Sequence, residues 1–143
     1  MKKKYRSTSH VVYDIKYHFV WIPKYRYKVL EGKMKEFLKE VIGQICEGMC
    51  IQVVEGEICG DHVHMCASVP PKYSASEVMK KIKGITSERI FREFPEIKKK
   101  YWGQHFWARG YFVSTVGIDE ETIREYIKKQ SEDRIENQMN LWN

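Results

Sequence analysis

The sequence predicts an α+β fold, in which helices cover one face of an antiparallel sheet. Some stretches of the chain alternate apolar and polar residues, as strands do, and others carry apolar residues at helical spacing. These stretches follow one another in the order β-α-β-β-α-β-α, and up to the last helix that order is the ferredoxin-like arrangement. No linker, repeat or low-complexity tract divides the 143 residues, so residues 1–143 are expected to form a single domain.

The first strand and the first helix are predicted from contrasting periodicities. From Val11 to Trp21 the odd-numbered residues are apolar or aromatic, which indicates a long strand with one core-facing side, and Pro23 ends it. The helix begins at about Gly32, and Gly48 is its expected stop. Its apolar stripe consists of Met34, Phe37, Leu38, Val41, Ile42 and Ile45.

The middle of the chain predicts a hairpin whose second strand carries two histidines. The strand Ile51–Ile58 leads through a turn at 59–61 into a stretch that alternates polar and apolar residues. His62 and His64 therefore point to the same face, roughly 6–7 Å apart along a strand that rises about 3.3 Å per residue. Two imidazoles in that arrangement suit a shared metal ion, although they could also be satisfied polar groups on a wet face.

The second half of the chain predicts a helix, a strand and a last helix. Ser74 begins the helix, because Glu77 completes a capping box with it, and Pro95 closes the helix. The segment Phe106–Val116 is rich in aromatic and β-branched residues and is predicted as the fourth strand. Asp119 is expected to cap the last helix, and acidic residues follow in the first turn, where the helix dipole favours them.

The last helix carries a tyrosine and a carboxamide that share a face. Tyr126 and Gln130 lie one helical turn apart and can address the same small volume. Ile123 and Ile127 form a separate apolar pair, turned away from the first by about 60–100°. A plain amphipathic helix with a boundary tyrosine and an exposed glutamine would show the same pattern.

The charge of the chain is compatible with an anionic partner. The formal net charge is +6, and the excess is concentrated in local clusters of lysine, some of which have aromatic neighbours. Lysine can neutralise phosphates and aromatic rings can stack on bases, but each cluster could equally be a solvated face. The candidate contacts to nucleic acid are Lys2, Lys3, Lys4, Lys80, Lys81, Lys83, Lys98, Lys99 and Lys100.

The cysteines and the hydropathy pattern favour a reducing, cytoplasmic compartment. The four cysteines contain no Cys-x-x-Cys pair, and a secreted disulfide scaffold would be shorter and denser in cysteine. The basic N-terminus lacks the apolar core of a signal peptide, and no apolar run approaches the roughly 20 residues that cross a bilayer.

A zinc site formed by Cys59, His62, His64 and Cys66 is an open alternative to a histidine pair that binds another ion.

Two motifs together resemble a known family. His62-Val63-His64 is a histidine–hydrophobic–histidine (HUH) motif, and Tyr126-Ile127-Lys128-Lys129-Gln130 follows about sixty residues later. The chain resembles the single-tyrosine HUH transposases (TnpA type) of the smallest bacterial and archaeal insertion sequences. The resemblance runs essentially end to end and includes the segments His18–Trp21 and Arg109–Ser114. The first motif alone would be weak, but its combination with the second motif, the element order and the length is specific.

The resemblance implies a metal-dependent transposase that cleaves and rejoins single-stranded DNA at insertion-sequence ends. Tyr126 would be the nucleophile and would form a 5′-phosphotyrosine link to the DNA. His62, His64 and Gln130 would hold one Mg²⁺ or Mn²⁺ ion that polarises the scissile phosphate. A mixed set of nitrogen and oxygen donors suits these ions better than a thiolate set would.

The resemblance also implies the partners. They are single-stranded DNA with a hairpin at the element ends and a second copy of the chain, in a homodimer. Tyr126 would act either in its own subunit or, in a composite active site, on the partner subunit. Two other functions stay open. One is a non-catalytic RNA-binding module of ferredoxin-like fold, which would stack bases on exposed sheet aromatics. The other is a domesticated HUH relative that acts on host repeats with the same chemistry.

Overall fold

The computed structural model describes residues 5–101 and 105–115. The predicted last helix, with Tyr126 and Gln130, therefore lies outside the described residues, as does the first lysine cluster, which consists of Lys2, Lys3 and Lys4.

The predicted first strand is divided in two. Strands β1 (Arg6–Ser7) and β2 (Val12–Tyr13) form a small antiparallel hairpin, whereas β3 (Lys16–Trp21) belongs to the main sheet. Between β2 and β3 the carbonyl of Ile15 accepts a hydrogen bond of 2.8 Å from the N–H of Val69. The chain thus leaves one sheet for the other within a few residues. The alternation of apolar side chains continues across the break, so the pattern does not reveal it.

The remaining elements form the main sheet and its helices. They are α1 (Gly32–Gly48), β4 (Gln52–Cys59), β5 (His62–Ser68), α2 (Ala75–Glu93), the short α3 (Pro95–Lys98) and β6 (Phe112–Thr115). The sheet is antiparallel, with the strand order β4-β5-β3-β6. This is the ferredoxin-like order, so the predicted α+β fold class is confirmed. Strand β5 is paired on both sides, which places its histidines in the interior of the sheet.

The helix boundaries follow from local chemistry. Helix α1 begins and ends at the predicted glycines. At the start of α2 the Ser74 hydroxyl accepts a hydrogen bond of 3.1 Å from the N–H of Glu77, and the Glu77 carboxylate accepts one of 2.9 Å from the N–H of Ser74. The predicted capping box is therefore present. Pro95 follows α2 as predicted and also begins α3, because its fixed φ suits the first turn of a helix.

The two faces of the main sheet are buried with different chemistry. Phe19 and Trp21 of β3 and Met65 of β5 pack into one hydrophobic core with residues of α1 and α2. This arrangement confirms that the odd-numbered aromatics of the first predicted strand face the core. On the opposite face, His18 and His64 are also buried. Buried imidazoles need a partner or a function, so this second face is where a site is expected.

The predicted fourth strand, Phe106–Val116, is too long. Trp107 forms only an isolated bridge, and the paired strand β6 begins five residues after it. In between, the ammonium group of Lys83 on α2 donates hydrogen bonds of 2.6, 3.0 and 3.3 Å to the carbonyls of residues 108, 109 and 110. These carbonyls are directed to the helix and do not continue a strand ladder, so the prediction of a continuous strand is wrong.

We expect Lys83→Met to lower the free energy of unfolding by about 1.5–3 kcal/mol, because charge-assisted hydrogen bonds to three carbonyls are removed while the aliphatic stem is kept. Urea denaturation measures the change. Lys81→Met is the matched control, since Lys81 is exposed on the same helix and its substitution should change stability by less than about 0.5 kcal/mol. Equal stability of the two variants would contradict the role assigned to Lys83.

Candidate functional site

The histidine pair lies at the start of β5, in the interior of the sheet. The ring centroids of His62 and His64 are 4.8 Å apart, and the ring planes are nearly perpendicular at 86°. The two residues are only 5% and 0% exposed. The two-residue alternation of a strand puts both rings on one face, as the sequence predicted. The pair is therefore a compact, buried donor set and not two solvated side chains on a wet face.

A polar chain orients the first of these rings. His62 Nδ1 donates a hydrogen bond of 2.6 Å to the Asp61 carboxylate, and Arg26 lies 3.5 Å from the other oxygen of that carboxylate. Burial alone would raise the pKa of Asp61, but the hydrogen bond from His62 and the charge of Arg26 hold it below its usual value. With Nδ1 carrying the proton, Nε2 of His62 keeps a free lone pair. A carboxylate that orients a ligating histidine in this way is a common feature of metal sites.

The remaining ring nitrogens of the pair lack partners. Nε2 of His62 and both ring nitrogens of His64 are buried without a hydrogen-bond partner in the part of the chain that the structure describes. Burial, followed by the proximity of His62 and His18, lowers the pKa of His64 to about 3, so its imidazole is neutral near pH 7. Buried polar atoms without partners are costly, and neutral imidazoles are the form that binds metal. This observation fits the predicted ion.

His18 is a further member of the site that the sequence analysis did not select. Its ring lies parallel to that of His64, with centroids 5.8 Å apart and an interplanar angle of 9°. Burial lowers the pKa of His18 to about 4. The alternation of side chains along the strand could have identified it. The odd-numbered residues of this strand face the core, so the even-numbered His18 must lie on the opposite face.

The histidine pair fits a metal ion whose further ligand is an oxygen atom better than it fits a zinc site that includes cysteine thiolates. Within 5–101 and 105–115, no three side chains of His, Cys, Asp or Glu converge to hold a metal. Cys59 and Cys66 thus do not join the histidines in the cluster that the zinc alternative requires. Burial, with repulsion from Glu57 and Asp61, also raises the pKa of Cys59 to about 12, which opposes the thiolate form. The predicted third ligand, Gln130, lies outside the described residues.

The buried imidazoles predict that the metal-free protein loses stability in mild acid. The folded-state pKa values of His18 and His64, about 4 and about 3, lie below the usual 6.5, so protonation favours the unfolded chain. Their contribution is complete above pH 6.5 and declines as the pH falls towards 4, by up to about 1.4 kcal/mol per pH unit for each histidine. Urea midpoints measured in chelator between pH 7 and pH 4 test this.

The variant His18→Gln should reduce the steepness of that decline. His105→Gln, at an exposed position, is the control and should leave the decline as it is in the wild type. A wild-type stability that stays constant between pH 6.5 and pH 4 would contradict the burial of neutral imidazoles.

The described lysines of the predicted clusters differ in their surroundings. Lys80 and Lys81 are exposed on α2, and Lys98, Lys99 and Lys100 are exposed at the end of α3. The Lys83 ammonium group donates hydrogen bonds to the loop carbonyls at 108–110.

Among the described residues, no helix is both long and apolar enough to cross a membrane.

Comparison with protein families gives a match over most of the chain. The family described as IS200-like transposases matches residues 11–130. The chain is 36% identical, over 137 residues, to the transposase of insertion sequence element IS200 from Salmonella typhimurium, an alignment that covers 95% of this chain and 90% of that protein. It is 33% identical, over 120 residues, to the ISDra2 transposase TnpA of Deinococcus radiodurans, covering 83% of this chain and 86% of that one.

Solved structures give the same picture of the fold. A crystal structure described as that of a transposase from Deinococcus radiodurans R1 superposes with a TM-score of 0.72 and 30% sequence identity, over 87% of this chain and 97% of that chain. A REP-associated tyrosine transposase, solved bound to a REP hairpin, superposes with a TM-score of 0.59 over 87% of this chain and 68% of that one. The second is only 11% identical and supports the fold alone.

Proposed function

Because the chain belongs to the IS200-like transposase family, we propose that it cleaves and rejoins single-stranded DNA at insertion-sequence ends through a 5′-phosphotyrosine intermediate. The observation that carries this proposal is the buried histidine pair, whose unpartnered nitrogens lie on one face of β5. Three ring nitrogens of the pair have no hydrogen-bond partner among the described residues, and the pair matches the histidines that the family resemblance assigns to catalysis.

Each residue of the proposed site has a distinct task. His62, His64 and Gln130 would hold one Mg²⁺ or Mn²⁺ ion, which when bound supplies Lewis-acid polarisation of the scissile phosphate. Asp61 positions the His62 ring, and Arg26 keeps Asp61 ionised. These contacts hold the free lone pair of His62 in one direction before any ligand arrives, which reduces the cost of ordering the site.

The covalent step belongs to Tyr126. Its phenolate oxygen attacks the phosphorus, which stays bonded to the 5′ oxygen of the DNA. The bond from phosphorus to the 3′ oxygen breaks, and that oxygen takes up a proton to become the released 3′-hydroxyl. A free tyrosine hydroxyl has a pKa of about 10, so Tyr126 must lose its proton at or near the site before it attacks. Rejoining is the reverse step with a different 3′-hydroxyl, and it needs no nucleotide cofactor because one phosphodiester replaces another.

The proposed function is tested by a covalent adduct. Single-stranded oligonucleotides that carry the imperfect palindromes flanking the gene are incubated with the protein and Mn²⁺ or Mg²⁺, then separated on a denaturing gel. We expect a labelled protein–DNA band that disappears when chelator is added first. Absence of the band with every flanking palindrome would overturn the cleavage proposal, and a band of equal intensity in chelator would overturn the metal dependence.

We also propose that the substrate is a hairpin and that the active protein is a homodimer with composite sites. The REP-associated neighbour was solved bound to a hairpin, which supports the first part. In the described part of the chain β6 is an edge strand on which Val113 is exposed, which supports self-association.

Among the alternatives, the RNA-binding module is not favoured, because Phe19 and Trp21 face the core and are buried. The insertion-sequence relatives at 36% identity favour a transposase over a domesticated relative that acts on host repeats.

Composite sites predict complementation between two inactive variants. If Tyr126 serves the histidine pair of the partner subunit, a mixed dimer of Tyr126→Phe with the double variant His62→Ala, His64→Ala contains one complete site. We expect each variant alone to be inactive and the refolded mixture to recover part of the cleavage. A dimeric mixture without any recovered adduct would show that each tyrosine acts in its own subunit.

A further inference from the structure

The loop that follows β3 has an unusual backbone. Tyr25 and Arg26 both adopt left-handed conformations, with φ of 64° and 54°. Residues other than glycine rarely adopt such angles, because the Cβ atom then lies too close to the following carbonyl oxygen. Strain of this kind persists when the surrounding structure holds it, and it is most often found at functional sites. The two tyrosines of this loop, Tyr25 and Tyr27, are therefore candidates for a functional role.

The loop holds the rings of Tyr25 and Tyr27 out to solvent. Tyr25 is 53% exposed and Tyr27 is 39% exposed, and their ring centroids are 5.4 Å apart. Both rings rest on the buried Tyr101, which stacks with Tyr25 at 6.4 Å and meets Tyr27 edge-on at 5.4 Å. The pair is thus a supported aromatic surface, and the support below it is part of the main core.

Cationic groups lie next to this aromatic surface. The Lys24 ammonium lies 5.2 Å from the centroid of the Tyr25 ring. Lys24 also lines a cleft of about 880 Å³, together with Arg92, Lys98 and Arg109. Glu88, which pairs with Arg92, is the one carboxylate among the residues that line this cleft in the described part of the chain. The cleft therefore suits an anionic occupant.

The other side of the loop leads to the histidine pair. Arg26, next to Tyr25, lies 3.5 Å from the Asp61 carboxylate, which accepts the hydrogen bond from His62. One short loop thus contacts both places, through Arg26 at the proposed cleavage site and through Lys24 at the basic cleft. Tyr25 lies between these two residues, and Tyr27 follows Arg26.

We propose that Tyr25 and Tyr27 form a stacking platform for unpaired bases of the DNA strand that runs from the cleavage site into the basic cleft. Aromatic rings beside a cationic groove are the arrangement that binds single strands without reading sequence, because every base has a face that can stack and every linkage carries a charge. A duplex keeps its base faces covered, so the platform selects unpaired nucleotides. This inference rests on the proposed function and assigns a binding site to its substrate.

The platform is tested by binding without cleavage. The probe is an oligothymidylate of about 12 nucleotides with one 2-aminopurine, titrated with protein in chelator so that no covalent step occurs. We expect Tyr25→Leu to weaken binding about 10-fold and to remove the fluorescence quenching that stacking causes, and Tyr25→Trp to retain both. Tyr73→Leu is the control at a half-buried tyrosine in the turn before α2, and its affinity should equal that of the wild type.

The cleft is tested by the salt dependence of the same binding. For a single strand, the slope of log affinity against log salt should decrease by about 0.7 for each phosphate that the protein no longer neutralises. The double variant Lys24→Gln, Arg109→Gln should therefore have a slope lower by about 1.4. An unchanged slope would remove the cleft from the path.

Several results would overturn the platform. They are an affinity of Tyr25→Leu equal to that of the wild type, an equally weakened affinity in Tyr25→Trp, or a wild-type protein that does not bind the oligonucleotide. Tyr27→Leu is the second variant should Tyr25→Leu not fold, and the same outcomes apply to it. The covalent adduct of the wild type is measured in parallel with metal: an adduct together with unaffected Tyr25→Leu binding refutes the platform alone, whereas no adduct refutes the proposed function.

Discussion

Tyr126→Phe is expected to abolish the covalent protein–DNA adduct, with a loss of at least about 10³-fold in the rate of cleavage. The substitution removes a single oxygen atom, which is the atom that would bond to phosphorus, and it keeps the ring and the helix propensity nearly unchanged. Hairpin binding should therefore persist while the chemistry is abolished. The measurement is the rate of adduct formation on a denaturing gel, together with the affinity for the uncleaved hairpin.

Tyr73→Phe is the matched control for that experiment, because it removes the same oxygen from a half-buried tyrosine in the turn before α2. It should form adduct at the wild-type rate. An adduct that persists in Tyr126→Phe would refute the nucleophile assignment, and the position of the modified peptide would then identify the residue that does attack.

The second large effect is expected from His62→Ala combined with His64→Ala. Removing both imidazoles deletes two of the three predicted ligands, and with them several kcal/mol of stabilisation of the charged transition state, so cleavage should fall by about 10³-fold or more. The basic cleft is lined by other residues, so hairpin binding should remain largely intact. In addition, Mn²⁺ should raise the melting temperature of the wild type but not that of the double variant.

Cys66→Ala separates the metal role from simple packing on β5. Cys66 lies on the same face of the strand as the histidines and is fully buried. Its truncation disturbs the packing of that face without removing a predicted ligand, so cleavage and the Mn²⁺ effect should both persist. Normal cleavage by the histidine double variant would refute the metal site. Loss of cleavage in Cys66→Ala would instead support the Cys66 thiolate as a metal ligand.

Local chemistry made much of the fold predictable. The bounds of α1 coincide with two glycines, and the capping box at Ser74 defines the start of α2 through hydrogen bonds between residues three apart. The hairpin β4–β5 follows from alternation and a short turn. These features depend on neighbours in sequence, which is why one sequence suffices to predict them.

Long-range contacts account for the errors in the fold. The division between β2 and β3 and the shortening of the fourth strand both leave the apolar pattern unchanged. The second depends on Lys83, which lies 25 residues before the first carbonyl that it binds. No local propensity reports such a contact, because a lysine on an amphipathic helix is ordinarily solvated.

The placement of the histidine pair on one strand face was predictable, and its surroundings were not. His62 and His64 stand out because two imidazoles alternate with apolar residues on one strand. His18 comes beside them only through the register that pairs β3 with β5, and Arg26 reaches Asp61 only through a left-handed backbone. Registers and strained loops are properties of the folded chain, so these residues could be found only in the structure.

The position of β5 between β4 and β3 has a consequence for hydrogen exchange. A strand with a ladder on each side opens only when both ladders break, so its amide protons are expected to exchange with the free energy of global unfolding. His64, which is paired with β4 on one side and with β3 on the other, is thus protected from the local fluctuations that reach edge strands and termini. Differences in cleavage rate between DNA substrates should then originate in how the DNA and the tyrosine reach the histidines, with His64 acting as a fixed reference point.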